Sequence, residues 1–222
     1  YIGLFDSALK YATRLNYINV RDLASGATLT RLSLKNNYAS ISRADLLHLL
    51  QDAVAANAAI TSEAKLVNQA VTQKDCVQLV CDDGSVMTAP ALIAADGIDG
   101  FGRQFVTGVA SNSCLQTSRV AMRAEIDASK LPAAFSQPAS NLWLGQGAHL
   151  VHYPMTGGHR INFAVTLSAK SANGDWQEQI FRTNPMLKPL TESHFKWTKT
   201  PLPPASSPLC WRRGRVALAG DA

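Results

Sequence analysis

Two apolar runs, far apart in the chain, end in the same chemistry. Ala91-Leu92-Ile93-Ala94-Ala95 leads into Asp96-Gly97, and Val216-Ala217-Leu218-Ala219 leads into Gly220-Asp221. In an open α/β sheet, ligands bind beyond the carboxyl ends of the strands. Glycine there lets backbone approach a ligand closely, and an adjacent Asp can accept hydrogen bonds from sugar hydroxyls. Either dipeptide alone is first of all a turn signal; its recurrence after two apolar runs is what points to a ligand. Gly97, Gly100 and Gly102 make a loose glycine loop, yet G-x-G-x-x-G occurs nowhere in the 222 residues. Neither a Ser/His/Asp triad nor a pair of catalytic carboxylates stands out. Cys76, Cys81, Cys114 and Cys210 lack C-x-x-C spacing and nearby histidines, so no metal site is expected.

The elements that must carry these residues are readable from periodicity. Asn19-Val20-Arg21 and Leu29 to Leu32 suggest short strands around a turn at Gly26. Ser42 caps a helix reaching about Asn57, with Asp45 completing an S-x-x-D pattern and Leu46, Leu49, Leu50, Ala53 and Val54 at helical spacing. Strands follow over Ala64 to Thr72 and Cys76 to Cys81, and Asp82-Asp83-Gly84-Ser85 turns the chain into Val86-Met87-Thr88. The run from Ala91 to Ala95 has the pattern of a strand buried on both faces. From about Ser118 the pattern is antiparallel β: Val120 to Ala124, Asn141 to Leu144, and a hairpin of His149 to Met155 with Arg160 to Ser168. In its second strand Ile161, Phe163, Val165 and Leu167 share one face, leaving Arg160, Asn162, Ala164 and Thr166 on the other. Asp175 to Arg182 reads as a short helix. Pro201, Pro203, Pro204 and Pro208 make a stiff extended connection to the last strand.

Three ordered stretches carry a family resemblance: Ile41-Ser42-Arg43-Ala44-Asp45-Leu46, Ala95-Asp96-Gly97-Ile98-Asp99-Gly100-Phe101-Gly102-Arg103, and Gly214-Arg215-Val216-Ala217-Leu218-Ala219-Gly220-Asp221-Ala222. They resemble landmarks of the FAD-dependent aromatic-ring hydroxylases, of the salicylate hydroxylase and para-hydroxybenzoate hydroxylase type. Trp143 and the stretch from His149 through Asn162 are similar to that family's substrate-domain hairpin. The resemblance implies FAD as cofactor and NAD(P)H as electron donor, with a small aromatic substrate hydroxylated through a flavin hydroperoxide. It implies that Arg43 contacts the pyrophosphate or ribityl region, that Asp96, Gly97 and Arg103 serve both FAD and the donor, and that Gly220 and Asp221 hold the ribityl chain. Asp99, Gly100 and Gly102 stand where the family commonly has His-Ser and an apolar residue, so a more flexible loop, less able to bind anions, is expected. No catalytic residue is assigned; His149, His152, Tyr153 and Asn162 are candidates for positioning the ring.

Composition bounds these readings. Hydrophobic residues make up 46% and charged residues 17%, enough apolar material for a globular chain. The net charge of +5 comes from scattered residues, with one tight cluster at Arg212, Arg213 and Arg215, so nucleic acid is not expected as a partner. No stretch approaches the roughly 20 apolar residues of a membrane helix, and Tyr1-Ile2-Gly3-Leu4 lacks the basic and apolar regions of a signal peptide. A cytoplasmic protein without stable membrane insertion is expected. The fold class is α/β plus antiparallel β: a partial Rossmann-like FAD-binding domain interleaved with a β-sheet substrate domain. Residues 1–37 are strands of uncertain domain, 38–110 and 212–222 parts of the FAD-binding domain, and 111–211 the substrate domain. Both ends read as cut, since the chain starts at Tyr1 and stops within a strand-to-loop motif. A non-hydroxylating flavin oxidoreductase of the same fold and a non-catalytic remnant are the competing readings.

Overall fold

The computed structural model describes residues 3–35, 38–57, 60, 65–109, 118–191, 195–202 and 210–221. The N-terminal elements are α1 (Phe5–Leu9), β1 (Thr13–Arg14), β2 (Tyr17–Asp22), β3 (Thr28–Ser33), β4 (Ala39–Ser40) and α2 (Arg43–Ala55). Next come β5 (Val67–Thr72), β6 (Val77–Cys81), β7 (Val86–Ala89), β8 (Leu92–Ala94) and α3 (Phe101–Thr107). The chain continues through β9 (Arg119–Asp127), β10 (Ala139–Gly145), β11 (Ala148–Met155), β12 (Arg160–Ser168), α4 (Trp176–Phe181), β13 (Thr198–Leu202), β14 (Arg212–Arg213) and β15 (Val216–Leu218). Cys114, Ala222 and the connecting Pro203, Pro204 and Pro208 lie outside the described residues, as does Ala64 at the expected start of β5. The contacts divide the chain into two compact units, Tyr1–Ile60 with Thr117–Leu202 and Thr61–Gln116 with Pro203–Ala222.

The first unit is built on a seven-stranded sheet in the order β13-β9-β12-β11-β10-β2-β3. Residues 1–37 thus supply two of its strands, with β2 parallel to β10 and antiparallel to β3. The alternation in β12 resolves as expected: Ile161, Phe163, Val165 and Leu167 are fully buried, while Asn162, Ala164 and Thr166 are half-buried on the other face. Trp143 and Leu150 join the buried row, and Phe135, Trp176, Phe181, Leu187 and Leu190 cover it. Pro201 sits in β13 at the sheet edge, where a missing N–H costs least. Helix α2 belongs to this unit. Ser42 Oγ accepts the Asp45 N–H at 3.0 Å, capping the helix, and donates its own proton to Asp45 Oδ2 at 2.7 Å.

In the second unit β5, β6 and β7 form an antiparallel meander, and β14, β15 and β8 a second three-stranded sheet in which β15 and β8 run parallel. Val77, Leu79, Val106, Val216 and Ala94 form its core. The expectation that the 91–95 run is buried on both faces is corrected here. Ala94 is buried but Ile93, pointing the other way, is 72% exposed. Only one face of β8 packs on the core; among the described residues nothing covers the other. Across the described residues no helix is long and apolar enough to cross a membrane.

Candidate functional site

Parallel pairing brings the two sequence motifs side by side. Leu218 of β15 lies opposite Ala94 of β8, and Ala219 N–H donates to the Ala94 carbonyl at 2.8 Å. Asp96-Gly97 and Gly220-Asp221 therefore leave the carboxyl edge of one sheet at the same end. Gly97 (φ +83°) and Gly220 (φ +66°) adopt left-handed conformations, and nothing lies within 4 Å of where a Cβ would stand on either. Open backbone of this kind suits close approach by a ligand. The Asp96 and Asp221 side chains are both exposed.

The loop after β8 packs closely on its neighbours. Asp96 Oδ2 accepts the Gly102 N–H at 2.9 Å, so its charge sits over the first turn of α3. A Cβ on Gly100 would come within 2.2 Å of Asp96 Cγ, and one on Gly102 within 2.1 Å of Ala94 Cβ. Gly102 is demanded by close packing of α3 on β8, and Gly100 leaves room for the Asp96 carboxylate. Arg103 is half-buried in the same helix. In the first unit Arg43 is the exposed first residue of α2, with no ion pair of its side chain among the described residues.

The other candidate group lies on the half-buried face of the seven-stranded sheet, opposite the core. Tyr153 of β11 stands opposite Asn162 of β12, which stands opposite Glu125 of β9. A hollow of about 320 Å³ opens beside Tyr153, lined also by Tyr38, Ser40, Ile41, Ser140 and Leu15. Burial pushes the Tyr153 phenol up from its ordinary pKa; Arg123 opposes this, while Tyr38 and Glu125 add to it. The phenol therefore stays protonated and can donate a hydrogen bond at neutral pH. His149 shares this face but pairs with Thr166, about 13 Å along the strand from Tyr153 at ~3.3 Å per residue.

His152 does not belong to this group. Side chains alternate along a strand, so the neighbour of Tyr153 must point the opposite way, and the cross-strand partner of His152 is Phe163. It is fully buried between Phe135 and Phe163, at ring-centroid distances of 5.1 and 5.4 Å. Trp143 Nε1 donates to its Nδ1 at 3.0 Å. Burial, then the Arg21 charge, lowers its pKa to about 3, so the imidazole is neutral. Tyr38 and Ser140 were missed by sequence reasoning. Tyr38 lies just before β4, remote from Tyr153 in sequence, and Ser140 lies on β10, the strand that pairs with β11.

The chain's fold, with its parallel β8–β15 edge and its mixed seven-stranded sheet, is shared with solved hydroxylase structures, and its sequence is similar to aromatic hydroxylases throughout its length. The 3-amino-4-hydroxybenzoate 2-monooxygenase of Streptomyces cremeus is 29% identical over 241 residues, covering 100% of this chain and 58% of the relative. A salicylate hydroxylase substrate complex superposes with a TM-score of 0.72 at 22% identity, over 99% of this chain and 60% of that one. The Klebsiella pneumoniae HpxO complex with FAD and uric acid gives 0.74 at 23% identity, over 99% and 59%. The chain thus spans about three fifths of the length of the proteins it matches. No protein-family model matches it.

Proposed function

We propose that the complete protein is an FAD-dependent monooxygenase that hydroxylates a small aromatic acid with NAD(P)H and O2 in the cytoplasm. The observation that carries this reading is the hollow of about 320 Å³ beside Tyr153, on the half-buried sheet face and lined by aromatic, hydroxyl and aliphatic groups. Relatives named for aminohydroxybenzoate and hydroxybenzoate chemistry support an aromatic acid as the substrate class.

The residues present fit FAD. The open backbone at Gly97 and Gly220 leaves room for a ligand at the carboxyl edge of β8 and β15, and the exposed Asp221 carboxylate can accept from ribityl hydroxyls. Arg43 offers a guanidinium fork for phosphate oxygens. Bound FAD would supply the redox chemistry, accepting electrons from NAD(P)H and activating O2. Tyr153 would donate its phenolic proton to a polar substituent of the ring, and Asn162 would offer a donor and an acceptor beside it. Both act by holding the ring in one orientation, since misplacement costs turnover steeply.

The test is NAD(P)H oxidation by the complete, FAD-loaded protein across salicylate, hydroxybenzoates and aminohydroxybenzoates, with products identified by mass spectrometry. Stimulated oxidation with a product carrying one added oxygen atom is expected. Oxidation that no aromatic acid stimulates, with no oxygenated product, would contradict the reading.

A further inference from the structure

On the face of the seven-stranded sheet that carries the core, the β2–β3 end is polar. Asn19 and Asn141, which are 3% and 2% exposed, face each other there, and Asn19 Nδ2 donates to Asn141 Oδ1 at 3.0 Å. Each asparagine orients one arginine. Arg21 Nε donates to Asn141 Oδ1 at 3.2 Å, and Arg31 Nε donates to Asn19 Oδ1 at 2.8 Å. Both guanidiniums are also stacked, Arg21 over Trp143 at 5.1 Å and Arg31 over Tyr17 at 5.0 Å.

Two cations are thus held side by side in fixed planes by buried amides and aromatic rings. Among the described residues no carboxylate lies within ion-pair distance of either. The nearest acid in sequence, Asp22, points to the opposite face and is occupied by the Ser25 N–H and hydroxyl. Burial and the charge of Arg31 both lower the pKa of Arg21, and no acid offsets them. Each Nε is used internally, while among the described residues the terminal amino groups make no hydrogen bond and are available to a ligand. That division suits a planar fork presented to an oxyanion.

We propose that Arg21 and Arg31 form a binding site for a small oxyanion, a carboxylate or a phosphate, separate from the hollow at Tyr153. The site rests on the arginine geometry alone and stands whether or not the protein hydroxylates. Its test is proton–nitrogen correlation of the arginine Nε–H groups in the complete protein, with sodium acetate or sodium phosphate replacing chloride at constant ionic strength. Saturable shifts of the Arg21 and Arg31 resonances are expected. Saturation with acetate alone identifies a carboxylate site and with phosphate alone a phosphate site, and either supports the proposal. Arg31 is exposed, so Arg31→Gln should leave the fold intact while weakening the response at Arg21 about tenfold or more. Shifts that grow linearly with both anions, or an affinity unchanged in Arg31→Gln, would overturn it.

Discussion

Acid should weaken this protein in a way that traces to His152. The imidazole is neutral and fully buried, with its pKa lowered from 6.5 to about 3, whereas in the unfolded chain it titrates normally. A folded-state pKa below the unfolded value means the stability is fully present above 6.5 and is lost as pH falls from 6.5 towards about 3. Protonation would also turn Nδ1 from acceptor to donor, breaking the hydrogen bond from Trp143. At 1.36 kcal/mol per pKa unit, going from about pH 7 to about pH 5 should cost about 2 kcal/mol through this one group. His152→Gln keeps an acceptor for Trp143 without the titration. Urea denaturation of both proteins at the two pH values gives the comparison, since carboxylates contribute equally to each. The wild type should lose about 2 kcal/mol more than the variant. An equal loss in both would refute the assignment of a neutral, buried histidine.

Three further outcomes follow from the packing and the loops. Gly102→Ala puts a Cβ 2.1 Å from Ala94 Cβ, and such overpacking should lower stability by about 1–3 kcal/mol, read as a fall in Tm. Phe163→Ala removes a fully buried ring that packs on Phe135 at 5.5 Å, and the denaturant midpoint should report a loss of about 3–5 kcal/mol. In the complete protein, Asp221→Ala should weaken FAD binding by about 1–3 kcal/mol in a fluorescence titration, with Arg43→Ala acting in the same direction.

The elements that rest on local rules were legible in the sequence. Ser42 and Asp45 mark the start of α2, and alternation from Arg160 to Ser168 separates the core row of β12 from the open one. What escaped depends on neighbours that no local pattern names. A polar residue in a strand can be a pocket side chain or part of a buried aromatic cluster, and periodicity shows that His152 and Tyr153 point apart without saying which way. Five consecutive apolar residues read alike whether one face or both are covered, so the exposure of Ile93 was not foreseen. Sequence likewise does not show that Ala94 packs against Gly102 or that the Asp96 carboxylate sits beside Gly100. The hollow at Tyr153 draws Tyr38 and Ser140 from separate segments and exists only once the register is set.

The claim that the open sheet face positions an aromatic ring is tested most directly by the ratio of hydroxylated product to NAD(P)H consumed. It should be measured in the complete, FAD-loaded protein and in its Tyr153→Phe and Asn162→Ala variants, with hydrogen peroxide followed in parallel. Loss of the phenolic donor leaves the ring bound less well in register, so reducing equivalents should go to peroxide. The account predicts a lower ratio in both variants, with peroxide making up the difference and FAD retained. Full coupling in both would contradict it and return Tyr153 and Asn162 to ordinary membership of a packed sheet.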